Sequence, residues 1–175
     1  MDKPQTSSQR AADRYGITDT LHRYCHGIDR YDIAMLKSAF WADGTDDHGS
    51  GPVPSHAFCD NLFIAIKDMK CTQHVLSNIL IDFQSDKDAT TESYCVAYHQ
   101  LDGPDGLQEL VVGGRYLDQL EQRDAVWKIK SRIYVMDWNR TGPLTHQTEG
   151  GIFDSLNIRG QRYPNDASKD YVARL

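Results

Sequence analysis

The sequence predicts an α+β fold in which N-terminal helices pack against a strongly curved, mostly antiparallel sheet, giving a cone-shaped α+β barrel. Three observations carry that expectation. Apolar residues recur at spacings of three and four through the first third of the chain. The next part reads as four long strands joined by short, turn-rich connections. A chain of 175 residues with 39% hydrophobic content suits one domain with one core. Helices that precede a run of strands, instead of alternating with them, define the α+β class.

The first helix follows a polar leader, where Ser7 or Ser8 offers a cap, and its stripe is Ile17, Leu21, Tyr24, Cys25 and Ile28. Asp32 caps a short second helix, "IAMLKSAF", so "GIDRYD" is the joint between the two. The segment "WADGTDDHGSGPVP" reads as a short strand followed by a loop. From Ser55, the residues Phe58, Leu62, Phe63, Ile66 and Met69 predict a third helix that ends near Lys70. Strands are then expected over Thr72 to Phe83, Thr90 to Gln100, Leu107 to Leu120 and Val126 to Trp138. Their connections, "QSDKD", "DGPDG" and "EQRDA", are short enough to force antiparallel neighbours. Gly113 and Gly114 inside a strand mark a bulge or bend. Residues 1–138 are therefore expected to form the domain. Residues 139–175 form an extension that packs on that domain or on a neighbouring subunit, with "GIFDSLNI" as a helical turn.

The formal charge of −6, from 25 acidic and 19 basic residues, argues against nucleic acid or an anionic membrane as a partner. No apolar run reaches membrane-spanning length, and "MDKPQTSSQR" lacks the core of a signal peptide. The four cysteines form no CxxC pair and read as reduced thiols, so the expected location is cytoplasmic. No phosphate-binding glycine loop, dinucleotide fingerprint, GxSxG elbow or HExxH motif is present, so no cofactor is expected.

Several residues are candidates for chemistry. His74 places an ionisable ring inside the strand "CTQHVLSNILID". Its bland alternative is a histidine satisfied by a backbone carbonyl. Asp29 closes the first helix, where the macrodipole disfavours a carboxylate unless Arg30, a capping role or an imidazolium offsets it. Together they suggest a dyad in which Asp29 orients and stabilises the imidazole while its other nitrogen takes a substrate proton. Tyr24 lies on the apolar stripe five residues earlier, roughly 140 degrees away on an ideal helix, so it converges with Asp29 only if the helix ends or bends between them. His99 ends a strand face made of the small residues Ser93, Cys95 and Ala97, as a cavity wall requires. Arg132 lies opposite the face of Trp127, Ile129, Ile133 and Val135, which makes it an edge or interface residue unless a bulge reverses the alternation. Asp46, Asp47 and His48 lack a second histidine at ligand spacing, so no metal is expected there and a solvated loop explains them.

The joined pattern "ITDTLHRYCHGIDRYDIAMLKSAF", "DGTDDHG", "TQHVLSNILID" and "VVGGRYLDQLEQRDAVWKIKSRIYVMDW" resembles the SnoaL-like (polyketide-cyclase-like) families of the nuclear transport factor 2-like superfamily. The similar branch includes scytalone dehydratase, bacterial bile-acid dehydratase and hexachlorocyclohexane dehydrochlorinase, and the likeness spans roughly residues 10 to 138. It implies catalytic roles for Asp29 and His74, with Tyr24 and His99 beside them and Arg132 in substrate binding. The implied function is a cofactor-independent, dehydratase-like lyase acting on a small hydrophobic cyclic molecule. An isomerase or cyclase using the same dyad, and a noncatalytic binding or assembly module, are the alternatives. Apolar residues on both faces of "HVLSNILIDF" fit a homo-oligomer, a dimer or trimer.

Overall fold

The computed structural model describes residues 6–172. Helix α1 (Ser7–Asp29) begins at Thr6, whose side-chain oxygen accepts from the Gln9 N–H. The cap thus lies one residue before the two serines, because Thr6 still has extended backbone while Ser7 and Ser8 are already helical. The stripe read from the sequence is buried, from Ile17 to Ile28. Two polar residues on this helix tie it to the sheet. Buried Asp13 accepts from the Trp127 indole N–H at 3.0 Å, and the Thr20 hydroxyl donates to the Trp127 carbonyl at 2.8 Å.

Asp32 caps α2 (Ile33–Ser38), accepting from the Met35 N–H. The two helices meet at Gly27, where an added Cβ would stand 2.5 Å from the Leu36 nitrogen and 2.7 Å from its Cα. Both obstacles are backbone, so neither yields by a rotamer change. Gly27→Ala is expected to destabilise the protein by about 1–3 kcal/mol, read from the urea unfolding midpoint. Helix α3 (Ser55–Ile66) stops short of Lys70, and the tail described below takes its terminal carbonyls.

Strands β1 (Phe40–Asp47), β2 (Val53–Pro54), β3 (Cys71–Phe83), β4 (Asp88–Gly103), β5 (Gly106–Arg123) and β6 (Val126–Pro143) form one sheet in the order β2-β1-β6-β5-β4-β3. From β3 to β6 every neighbour is antiparallel, whereas β1 lies parallel to β6. The sheet curves but does not close. β2 and β3 remain edges, so the expected barrel is an open cone. Curvature enters through irregularities between Ser77 and Leu80, between Gly113 and Gly114, and between Gln119 and Leu120. The helices and the inner sheet face enclose the core, with Leu21, Leu36, Phe40, Leu120 and Ile129 fully buried.

The domain's last strand passes residue 138 and pairs with β5 as far as Gln108 opposite Pro143. After a short 3-10 helix (Gly151–Ser155), the tail returns to the ends of α1 and α3. The Tyr163 N–H donates to the Arg30 carbonyl, Arg30 pairs with Asp166 at 3.2 Å, and the Arg162 guanidinium donates to the carbonyls of Ile66, Lys67 and Met69. A short helix α4 (Lys169–Val172) follows.

Candidate active site

The end of α1 meets the inner face of β3 at Asp29 and His74. Asp29 Oδ1 accepts from the His74 ring at Nδ1, 2.7 Å away, and Oδ2 accepts from the backbone N–H of His74, also at 2.7 Å. Two bonds from one residue fix the carboxylate plane, and with it the ring edge that faces away. Because the carboxylate accepts at Nδ1, the proton of a neutral His74 sits there and Nε2 carries the free lone pair. Burial alone would raise the Asp29 pKa. Hydrogen bonds and charge from His74, with a further bond from Thr72, outweigh it and hold the carboxyl below its ordinary 3.8. Stability from this arrangement is complete above the unfolded-state value and fades as the pH falls through the lower folded one.

A cavity of about 270 Å³ opens beside His74 between α1, α3 and the inner sheet. Its wall is mainly apolar or aromatic, with Ile28, Leu62, Ile66, Ala97, Val112 and Tyr116, and it holds three imidazoles, His48, His74 and His99. Two larger hollows, of about 480 and 510 Å³, lie on the outer sheet face and beside α1, away from this cluster. Tyr24 also lines the cavity. Helix α1 runs unbroken through Asp29, yet both side chains serve one site: Tyr24 stands on the wall while Asp29 reaches sideways to β3 behind His74. Burial drives the Tyr24 hydroxyl well above 10, so it stays a phenol and a hydrogen-bond donor.

His99 stands edge-on to His74, ring centroids 5.7 Å apart. Its Nδ1–H donates to the Leu110 carbonyl at 3.2 Å. Burial, then the neighbouring His74, lowers its pKa. It is therefore held neutral, with a lone pair at Nε2.

Arg132 differs from its expected outward position. The Gln119–Ser131 pair is followed by Leu120–Ile129, so Lys130 is an extra residue and the alternation of β6 reverses there. Arg132 consequently turns inward and Ile133 outward. The guanidinium is fully buried, forms a two-point ion pair with Asp118 at 2.7 and 2.8 Å, and lies between the rings of Tyr24 and Tyr116, 4.0 and 3.9 Å from their centroids. It supports the cavity wall from behind and is not part of the lining.

The solvated-loop expectation for Asp46 and His48 also needs correction. Asp46 is fully buried on β1, and its Oδ1 bonds His48 Nδ1. The His48 ring stacks between Phe58 and Tyr134, centroids 4.5 and 4.9 Å away, on the cavity wall. Period-two alternation carried past Gly44 places Asp46 and His48 on one face. The dense glycine and proline after them obscured that signal. Asp47 points elsewhere, accepting from the N–H groups of Gly49 and Gly51. Among the described residues no group of three or more His, Cys, Asp or Glu side chains is arranged to hold a metal ion.

An open, curved sheet backed by helices places the molecule in the nuclear transport factor 2-like class of folds. The SnoaL-like domain model matches residues 9–133, and the chain belongs to that family. Among solved structures it is similar to the hexachlorocyclohexane dehydrochlorinase LinA type 2, with 22% identity and a TM-score of 0.73 over 84% of this chain and 100% of that one. It is also similar to a putative scytalone dehydratase from Novosphingobium aromaticivorans, with 21% identity and a TM-score of 0.69 over 84% and 97% of the two chains. A putative aromatic ring hydroxylase from the same organism gives 24% identity and a TM-score of 0.64 over 79% and 95%. At these identities the likeness shows the fold. No curated protein matches the chain.

Proposed function

We propose that this protein is a cofactor-independent, dehydratase-like lyase acting on a small, largely apolar cyclic molecule. The observation that carries the reading is the 2.7 Å bond between Asp29 and His74 Nδ1, which leaves Nε2 as the base at an apolar cavity. His74 removes a proton beside an activating group and Asp29 stabilises the imidazolium that forms. The Tyr24 phenol donates to the carbonyl on which charge develops. Neutral His99 offers its Nε2 as an acceptor for a substrate hydroxyl. A cavity of about 270 Å³ lies just below the usual span of ligand pockets, about 300–1,000 Å³, and favours one or two rings over a larger polycycle. Dehydratase and dehydrochlorinase names among the fold neighbours agree with elimination chemistry.

The test is incubation of one- and two-ring β-hydroxy ketones with the protein in deuterium oxide, followed by mass spectrometry. Loss of water from a substrate supports the lyase. Deuterium in a product of unchanged formula assigns an isomerase instead, and no turnover across the panel leaves a binding module as the better account.

The reading extends to assembly. Val75, Leu80, Tyr94, Ile133, Met136 and Trp138 are large apolar residues exposed on the sheet strands. A homodimer or homotrimer that covers them is expected in sedimentation velocity at micromolar concentration; a monomer there overturns the assignment.

A further inference from the structure

The cavity holds a second carboxylate–imidazole pair that the elimination reading does not use. Like His74, His48 is anchored through Nδ1 by a buried carboxylate, and its ring stacks on two aromatic rings, each inclined 21° to it. The pair enters from the opposite side of the sheet: His74 from β3 at one edge, Asp46 from β1 next to β2 at the other. Asp46 sits in register with Arg132, yet Arg132 is committed to Asp118. Asp46 Oδ2 and Arg132 Nη1 are each buried without a hydrogen-bond partner among the described residues. Asp46 is thus a buried carboxyl group whose hydrogen-bonded neighbour among the described residues is His48.

Expulsion of a hydroxyl group needs a proton. Neutral His99 has committed its N–H to Leu110 and cannot supply one, and Tyr24, held well above 10, gives hydrogen bonds more readily than protons. We propose that His48 is the catalytic acid of the site and Asp46 its positioning residue. The assignment rests on the reading of His74 as the base. In the elimination, His74 takes the proton from carbon and the C–H electron pair becomes the new double bond. The C–O pair leaves with oxygen, which takes the His48 proton and departs as water. Transfer through solvent from His74 to His48 restores the starting state.

Two small apolar bicycles separate acid from base: 1,2-benzisoxazole and its 5-nitro derivative, which open by loss of a ring proton and cleavage of the N–O bond. The nitro compound expels a stabilised phenolate that needs no proton, whereas the parent compound gains from one. His48→Gln is expected to slow the parent reaction about 10²-fold and to leave the nitro reaction within a small factor. Asp46→Asn should steepen the same leaving-group dependence more weakly, which a purely structural role would not do. His74→Ala should slow both substrates alike. Equal loss of both reactions in His48→Gln, or no loss, overturns the acid assignment while leaving the base in place. A native protein no faster than buffer, or an unaffected His74→Ala variant, overturns the base reading and the acid with it.

Discussion

His74→Ala is expected to lower turnover of the native substrate by about 10²–10⁴-fold, the range that a positioned general base contributes. The fold should survive. The ring is nearly enclosed, but half of its link to Asp29 runs through the backbone N–H of residue 74, which alanine keeps. One carboxylate oxygen is left without its ring partner, a loss of about 1–3 kcal/mol in the urea unfolding midpoint. Steady-state kinetics on the folded variant read the effect: kcat falls, whereas KM changes less because the apolar wall is intact. Unchanged turnover would remove His74 from the mechanism.

Asp118→Ala is expected to destabilise the protein by about 3–5 kcal/mol, the cost of leaving a buried charge without its partner. Both side chains are fully enclosed, and Arg132 Nη1 already lacks an acceptor among the described residues. The guanidinium would retain the Tyr24 and Tyr116 faces but lose both charged hydrogen bonds. Urea denaturation gives the measurement. The Asp118→Leu, Arg132→Met double variant should recover most of the loss, since replacing a buried pair entirely is far milder than orphaning one member. If Asp118→Ala alone proves neutral, the pair does not hold this part of the core.

Where side-chain periodicity is regular, the chain announces its structure. The stripe of α1, the Asp32 cap and the β3–β6 meander followed from residue spacing alone, and Asp29 and His74 were singled out as an ionisable ring in a strand and a carboxylate at a helix end. Irregular positions were hidden. A single extra residue at Lys130 inverts the side chains of β6 from Ser131 to Met136, until a second irregularity opposite Gly113 and Gly114, and no composition signal reports on which residue a bulge falls. The parallel pairing of β1 with β6 joins segments more than eighty residues apart, beyond the reach of any local pattern. That pairing brings Asp46 beside Arg132 and gives the apparent loop residue His48 a place on the wall.

The tail that folds back onto Arg30 fixes an order of events during synthesis. Asp29 is made early, and the next residue is held by Tyr163 and Asp166, the latter 136 positions further on. The sheet and its cavity are complete by Pro143, and only afterwards does the segment that secures the end of α1 leave the ribosome. Every residue of the cavity wall is thus made before the segment that braces Arg30, and Asp29 by then has its His74 partner, so the tail adds support to a helix end whose carboxylate is already tied to β3.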